Sequence, residues 1–283
     1  VKIIGVRLPE GVHAASIEDW GSPRATLIAP LAEFWSDPAR YTSAAPAGAE
    51  VEISRVERVP PVLPDARVIC VGLNYRSHVA EGSYAKEEYP PYPVLFARWT
   101  ATLSVDGVPA PIPGTEEGLD WEGEVAAYVG STLVDADPDT ARAAVLGYST
   151  FNDLTARWAQ KITSQWILGK NGDASGPLGP LVTADEVGEL RDGLQLVTRV
   201  NGTVVQSGNT RDLVYELGEV LSHISHTFTL RPGDVIATGT PSGVGYARTP
   251  PWLLQPGDVV EVEVERLGVL TTPIVSNQAR LPG

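Results

Sequence analysis

The sequence predicts a mainly β protein with some α, and three features point that way. Short apolar and β-branched runs bounded by turn formers recur at 66–71, 93–97, 122–129, 194–200, 203–206, 234–237 and 259–264. Glycine and proline number 28 and 24 in 283 residues, above average yet below the level of low-complexity chains, which favours a loop-rich β protein over a helical bundle. Asn201-Gly202, between two of the runs, is the dipeptide of a type I′ hairpin turn, whose central positions both need positive φ.

Along the chain, residues 1–59 mix short apolar runs at 2–6 and 25–28 with an amphipathic helix around 30–35, and bring no catalytic residues together. They read as a small N-terminal accessory domain. Pro60, Pro61 and Pro64 hold their preceding residues extended, so 60–65 reads as a semi-rigid linker and 66–283 as the main domain. Cys70 lies in the apolar run Val68-Ile69-Cys70-Val71 and reads as a core residue; a lone cysteine has no internal disulfide partner. Between Asp212 and Phe228 the period changes: Leu213, Leu217, Val220, Leu221 and Ile224 fall on one stripe of a 3.6-residue helix. Arg-Pro-Gly-Asp at 231–234 and Gln-Pro-Gly-Asp at 255–258 each turn the chain into a valine-bearing strand.

The length allows one or two domains, and 43% hydrophobic with 20% charged residues is the composition of a globular protein. A net charge of −14 opposes binding to nucleic acid or to an anionic membrane. No apolar stretch approaches the roughly 18 residues of a transmembrane helix, and Val1-Lys2-Ile3-Ile4 lacks the regions of a signal peptide, so a cytoplasmic protein is expected.

The sharpest chemical signal is Leu119-Asp120-Trp121-Glu122-Gly123-Glu124-Val125. On a strand, Glu122 and Glu124 share a face about 6–7 Å apart, and two like charges there persist on a solvated edge or around a cation. Hard oxygen ligands select Mg²⁺, Mn²⁺ or Ca²⁺. Asp153, in Asn152-Asp153-Leu154-Thr155, is a second acidic candidate, although Asn-Asp before a helix is ordinarily an N-cap. His78 and Glu81 are three apart, neighbours on one helical face: either a surface ion pair or an imidazole oriented by a carboxylate, as a water-activating base requires. His223 and His226 read as surface or packing residues. Gly239-Thr240-Pro241-Ser242-Gly243-Val244-Gly245 follows an apolar strand and is either a plain turn or a loop that brings backbone N–H groups to an anion; without a following lysine it is no P-loop.

Taken in order, these segments resemble the fumarylacetoacetate hydrolase family. The resemblance runs from about Arg67 to Val275 and rests on Val-Gly-Leu-Asn-Tyr-x-x-His-x-x-Glu at 71–81, Glu-x-Glu at 122–124, Gly-Tyr-x-x-x-Asn-Asp-x-x-x-Arg at 147–157, Val-Asn-Gly-x-x-x-Gln at 200–206, Gly-Asn-Thr at 208–210 and Gly-Thr-Pro-x-Gly-Val-Gly at 239–245. It implies a mixed β-roll core with a small N-terminal domain, and a homodimer. It further implies Glu122, Glu124 and Asp153 as ligands of Mg²⁺ or Mn²⁺, with Ca²⁺ as a further candidate. Lys170 would border the metal, His78 and Glu81 would activate water, and Arg157, Gln160 and Thr240 would hold the substrate carboxylate and its neighbouring oxygens.

Three positions depart from the family pattern. Phe96-Ala97-Arg98-Trp99 stands where Phe-x-Lys-Pro is common, Trp158 where an aspartate is common, and Asn171-Gly172 follows Lys170. All three are expected near the substrate pocket, with Arg98 gripping an anionic substrate tail. The resulting expectation is a divalent-metal-dependent hydrolase that cleaves a C–C bond in a 1,3-diketo acid such as an acylpyruvate or fumarylpyruvate. The alternatives are a decarboxylase, or a tautomerase or isomerase, of a 2-oxo diacid such as oxaloacetate or 2-hydroxyhepta-2,4-diene-1,7-dioate. A metal-binding protein without turnover is the remote third.

Overall fold

The computed structural model describes residues 1–43, 45–81 and 91–277. Its larger mixed sheet runs from Glu50–Glu52, Arg24–Pro30, Gly11–Ile17 and Lys2–Leu8 through Leu181–Thr183, Val145–Asn152, Gly123–Val129, Val235–Ala237 and Val68–Gly72 to Val94–Arg98. Neighbours along this path are antiparallel except Val68–Gly72 and Val235–Ala237, which run parallel. The second sheet orders Thr203–Asn209, Gln195–Val200, Val259–Val264 and Gly268–Val275, with the short Ala110–Pro111 at its edge. The protein is thus mainly β with open mixed sheets, as the sequence predicted.

The strand Gly123–Val129 is central and buried along its whole length. Its period of two divides it between two cores: Val125, Ala127 and Val129 pack with Leu196, Val262 and Val264, while Ala126 and Tyr128 pack with Phe34, Trp35 and Val235. The hairpin at Asn201-Gly202 forms as predicted, with φ of 49° and 79°. The amphipathic stripe becomes the helix Leu217–Ser225, shorter than expected because Glu216 and Glu219 form a capping box that starts it there. Leu213 still packs on the core, from outside the helix.

The N-terminal segment is not separate from the main sheet. Lys2 pairs with Val182 and Ile3 with Leu181, and Trp35, on the helix Leu31–Ser36, stacks on Tyr128 with ring centroids 6.0 Å apart. Trp35 Nε1 also donates to Pro61 O at 2.9 Å, and Val62 is buried, so the proline-rich segment is packed rather than solvated. Cys70 is buried, and burial pushes its thiol well up. Among the described residues no helix is long and apolar enough to cross a membrane.

Candidate active site

The antiparallel register of the two central strands builds the acidic cluster. Gly123 lies opposite Asn152, so Glu122 and Asp153 emerge side by side at the strand ends, with Asp153 N–H donating to Glu122 O at 2.9 Å. Asp153 therefore follows a strand and is not a helix cap; the next helix, Arg157–Lys161, starts from Ala156. Glu122 and Glu124 point to one face, as the period of two requires. The residue between them must be glycine: a Cβ on Gly123 would lie 2.3 Å from Thr198 Oγ1 of the second sheet. The pair lies deep in the protein and not on a solvated edge, with Glu122 6%, Glu124 2% and Asp153 0% exposed.

Three buried cations surround the cluster. Lys170 Nζ, at the end of the helix Ile167–Lys170, donates to Glu122 Oε2 and Asp153 Oδ2, both at 2.6 Å. Arg157 Nη2 pairs with Glu122 Oε1 at 2.7 Å, its Nε donates to Asp120 Oδ2 at 2.7 Å and its Nη1 to Gln160 Oε1 at 3.0 Å. Arg98 Nε donates to Asp153 Oδ1 at 2.5 Å.

Arg98 is a correction to the sequence reading. It was expected to reach a substrate tail, but its side chain is buried behind Asp153, with Nη1 donating to Ser175 Oγ at 2.9 Å and Thr102 Oγ1 at 3.4 Å and Nη2 to Leu154 O at 2.8 Å. Held by these partners and absent from the cavity lining, the planar fork serves Asp153 and not a ligand. Trp99 and Trp158 are likewise not pocket residues: both are more than half exposed and neither lines the cavity over the cluster.

That cavity, about 110 Å³, is lined by His78, Glu122, Glu124, Arg157, Gln160, Lys161, Lys170, Thr240 and Tyr246, with Phe96 and Trp166 among its apolar walls. The structure thus brings His78, Gln160, Arg157, Lys170 and Thr240 around the acidic cluster. The Glu81 side chain lies outside the described residues. Thr240 Oγ1 donates to Gly123 O and accepts from Gln206 Nε2, at 2.9 and 2.8 Å. The glycine loop does bring N–H groups to anions, but the anions are the protein's own. Gly239 N–H donates to Glu124 Oε2 at 2.9 Å, and Gly245 and Tyr246 N–H donate to Asp120 at 2.7 and 3.0 Å.

Asp120 is the residue that the sequence reading missed. It is fully buried and joins Arg157 to the glycine loop. Its signal was the alternation itself, since Asp120, Glu122 and Glu124 are spaced by two.

The electrostatics separate the two glutamates. Burial raises the Glu122 carboxyl, but Lys170, Arg157 and then His78 outweigh it and hold it at about 2. Burial also raises Glu124, and here Asp153 and Glu122 add to it and push the group well above the carboxylate range. Burial favours a neutral Lys170, yet Asp153 and Glu122 overcome it and keep the ammonium charged. Arg157 is held charged in the same way by Asp120 and Glu122.

These residues fit a divalent cation. One oxygen each from Glu122, Glu124 and Asp153 lies within 4.8 Å of the others. Glu124 is the discriminating member: among the described residues it has a backbone donor but no ion pair, and the more distant Lys170 does not offset its acidic neighbours. A buried carboxylate so placed wants one positive charge more than the protein supplies, and three carboxylate oxygens are the donor set of a hard metal.

Comparison with known proteins bears on this site. Residues 67–275 match the family described as fumarylacetoacetate (FAA) hydrolase C-terminal. The chain is 38% identical over 225 residues to the mitochondrial oxaloacetate tautomerase FAHD2A of Homo sapiens, covering 78% of this chain and 70% of that one. Among solved structures it is similar to 5-carboxymethyl-2-hydroxymuconate delta-isomerase from Mycobacterium smegmatis, with a TM-score of 0.80 and 31% identity over 98% of this chain and 100% of that one. It is also similar to fumarylpyruvate hydrolase from Pseudomonas aeruginosa in complex with Mn²⁺ and pyruvate, with a TM-score of 0.68 and 29% identity over 78% and 92% of the two chains.

Proposed function

The chain belongs to the fumarylacetoacetate hydrolase family, and from that premise we propose that it is a Mg²⁺- or Mn²⁺-dependent enzyme that interconverts the keto and enol forms of a small 2-oxo diacid of the oxaloacetate type. The observation that carries this reading is the content of the cavity. A space of about 110 Å³ is lined by the acidic cluster and by His78, and of its hydroxyl residues Thr240 is already tied to Gly123 O and Tyr246 carries a weakly nucleophilic phenol. Enolisation needs a stabilised oxyanion and a group that moves a proton, but no nucleophile. The volume is far below the roughly 300–1,000 Å³ of pockets for larger ligands and suits a small acid. The named activity of the human relative, an oxaloacetate tautomerase, supports the same reading.

Glu122, Glu124 and Asp153 would hold the cation, which when bound supplies Lewis-acid stabilisation of negative charge on the substrate's 2-oxo oxygen. Lys170, kept charged, adds a fixed positive potential beside that oxygen, and Arg157 with Gln160 orients the carboxylate. His78 takes the C3 proton; the electron pair of the broken C–H bond becomes the C2–C3 double bond, and a proton delivered to the 2-oxo oxygen completes the enol. Trp166 and Phe96 restrict water on the apolar side.

A second reading is C–C hydrolysis of an acylpyruvate, with His78 activating water. The placement of His78 on the helix Arg76–Glu81, at the cavity, favours it, and one structural relative is a fumarylpyruvate hydrolase. The test is a panel of 2-oxo acids with Mg²⁺ or Mn²⁺ and products identified by mass. Oxaloacetate returned at unchanged mass but with enol formation accelerated supports the tautomerase, and cleavage products from acylpyruvates support the hydrolase.

A further inference from the structure

Asp153 is held from both sides. Its Oδ2 accepts from Lys170 and its Oδ1 from Arg98, whose other donors are fixed on Ser175 Oγ and Leu154 O. Ser175 Oγ in turn donates to Gly172 O at 2.6 Å. Room for the guanidinium exists because Gly176 has no side chain; a Cβ there would lie 3.2 Å from Arg98 Nη1.

A second tie joins the same two segments one residue further along each. Asn171 Oδ1 accepts from Trp99 N–H at 2.7 Å, and Asn171 Nδ2 donates to Ala97 O at 3.3 Å and to Ile167 O at 3.0 Å. The end of the strand that carries Arg98 is thereby bonded to the end of the helix that carries Lys170. Residue 99 must supply a backbone N–H for this, which a proline cannot do.

We propose that Arg98 and Asn171 are paired positioning residues that set how Asp153 and Lys170 face each other, and thereby set the affinity of the carboxylate cluster for a divalent cation. This rests on the reading that Glu122, Glu124 and Asp153 hold that cation. Neither residue lines the cavity, so both act through others. Arginine is suited to this: behind Asp153 its rigid fork is anchored on Ser175 Oγ, Leu154 O and, at 3.4 Å, Thr102 Oγ1, so Asp153 Oδ1 is fixed and Oδ2 is turned toward the cluster. A lysine ammonium at 98 would keep the charge but follow the carboxylate wherever it moved. Loss of a group that orients a metal ligand typically weakens metal binding by about 10- to 100-fold.

The experiment is calorimetric titration of the EDTA-stripped full chain with Mn²⁺, with apo thermal unfolding followed in parallel. Arg98→Lys is expected to weaken the Mn²⁺ Kd by about 10- to 100-fold. Asn171→Ala removes all three Asn171 bonds and Trp99→Pro only the one from residue 99, so Asn171→Ala should weaken binding by a smaller factor than Arg98→Lys, Trp99→Pro by no more than Asn171→Ala, and the double variant by no more than Asn171→Ala alone. Proline at 99, which follows an extended residue, asks φ to close from −91° toward about −65°. A purely structural role would lower the apo midpoint and leave the Kd of the folded protein alone; a Kd for Arg98→Lys within twofold of wild type overturns the proposal. If Arg98→Lys does not fold, Ser175→Ala removes one anchor, and wild-type Kd values in both Ser175→Ala and Asn171→Ala overturn it instead. Absence of Mn²⁺ binding by the wild type would overturn the metal reading and the clamp together, whereas wild-type binding with insensitive variants overturns the clamp alone.

Discussion

Replacing Asp120 with alanine removes a fully buried carboxylate that accepts from Arg157 Nε at 2.7 Å, Gly245 N–H at 2.7 Å and Tyr246 N–H at 3.0 Å. Breaking a buried ion pair from one side costs about 3–5 kcal/mol, and a backbone donor left without an acceptor costs about 1–3 kcal/mol. These costs share one network and do not add, and Arg157 keeps Glu122 as a partner, so about 4 kcal/mol is expected for the variant. The assay is urea unfolding of the metal-free protein. With a slope of about 3 kcal/mol per molar, the midpoint should fall by about 1.3 M. Asp120→Asn keeps the shape and one acceptor but turns an NH₂ group toward a donor, and should lose about half as much. A midpoint within about 0.2 M of wild type for Asp120→Ala, the loss of an ordinary surface substitution, would refute the role given to Asp120.

Glu124→Gln should abolish both activity and the thermal stabilisation given by Mn²⁺ while leaving the apo fold intact, as thermal scans with and without EDTA will show. Because the Glu124 carboxyl is raised in the metal-free protein, the unfolded chain gives up that proton first as pH rises above about 4.5. Apo stability should therefore decline above that pH, the decline should vanish in Glu124→Gln, and Mn²⁺ affinity should rise with pH as the ion displaces the proton. His78→Ala should slow proton transfer at C3 by about 10²- to 10⁴-fold with Mn²⁺ affinity retained, read by solvent exchange and calorimetry. Lys161 lines the cavity mouth with its ammonium 3.3 Å from the Tyr246 ring centroid and has no carboxylate partner among the described residues. Lys161→Gln should raise KM about two- to fivefold for a diacid, the worth of an exposed ion pair, with kcat unchanged and a monoacid unaffected.

The parts of the site that the sequence made legible are those fixed by local period. Glu122 and Glu124 share a face because strands alternate, and Asn201-Gly202 turns a hairpin because both residues take positive φ. Asp153 was singled out by sequence, but its partner across the sheet is set by the register Gly123 to Asn152, which no local pattern encodes. The glycine loop was recognised as a place where N–H groups meet anions, yet which anions depended on Asp120 and Glu124, more than a hundred residues away in the chain. Arg98 was misjudged for the same reason. A cation near a pocket can face a ligand or a protein carboxylate, and only the 55-residue contact with Asp153 decides between them.

The central claim is that the acidic cluster, once it holds a divalent cation, promotes proton removal from C3 of a 2-oxo diacid. Its most direct test is the rate of solvent deuterium incorporation at C3 of oxaloacetate, followed by NMR with EDTA-stripped protein before and after Mn²⁺ is restored. The account predicts enzyme-dependent exchange that appears only with Mn²⁺, exceeds the rate of Mn²⁺ alone, and is lost in both Glu124→Gln and His78→Ala. Exchange no faster than that of free Mn²⁺, or fully retained in Glu124→Gln, would contradict it.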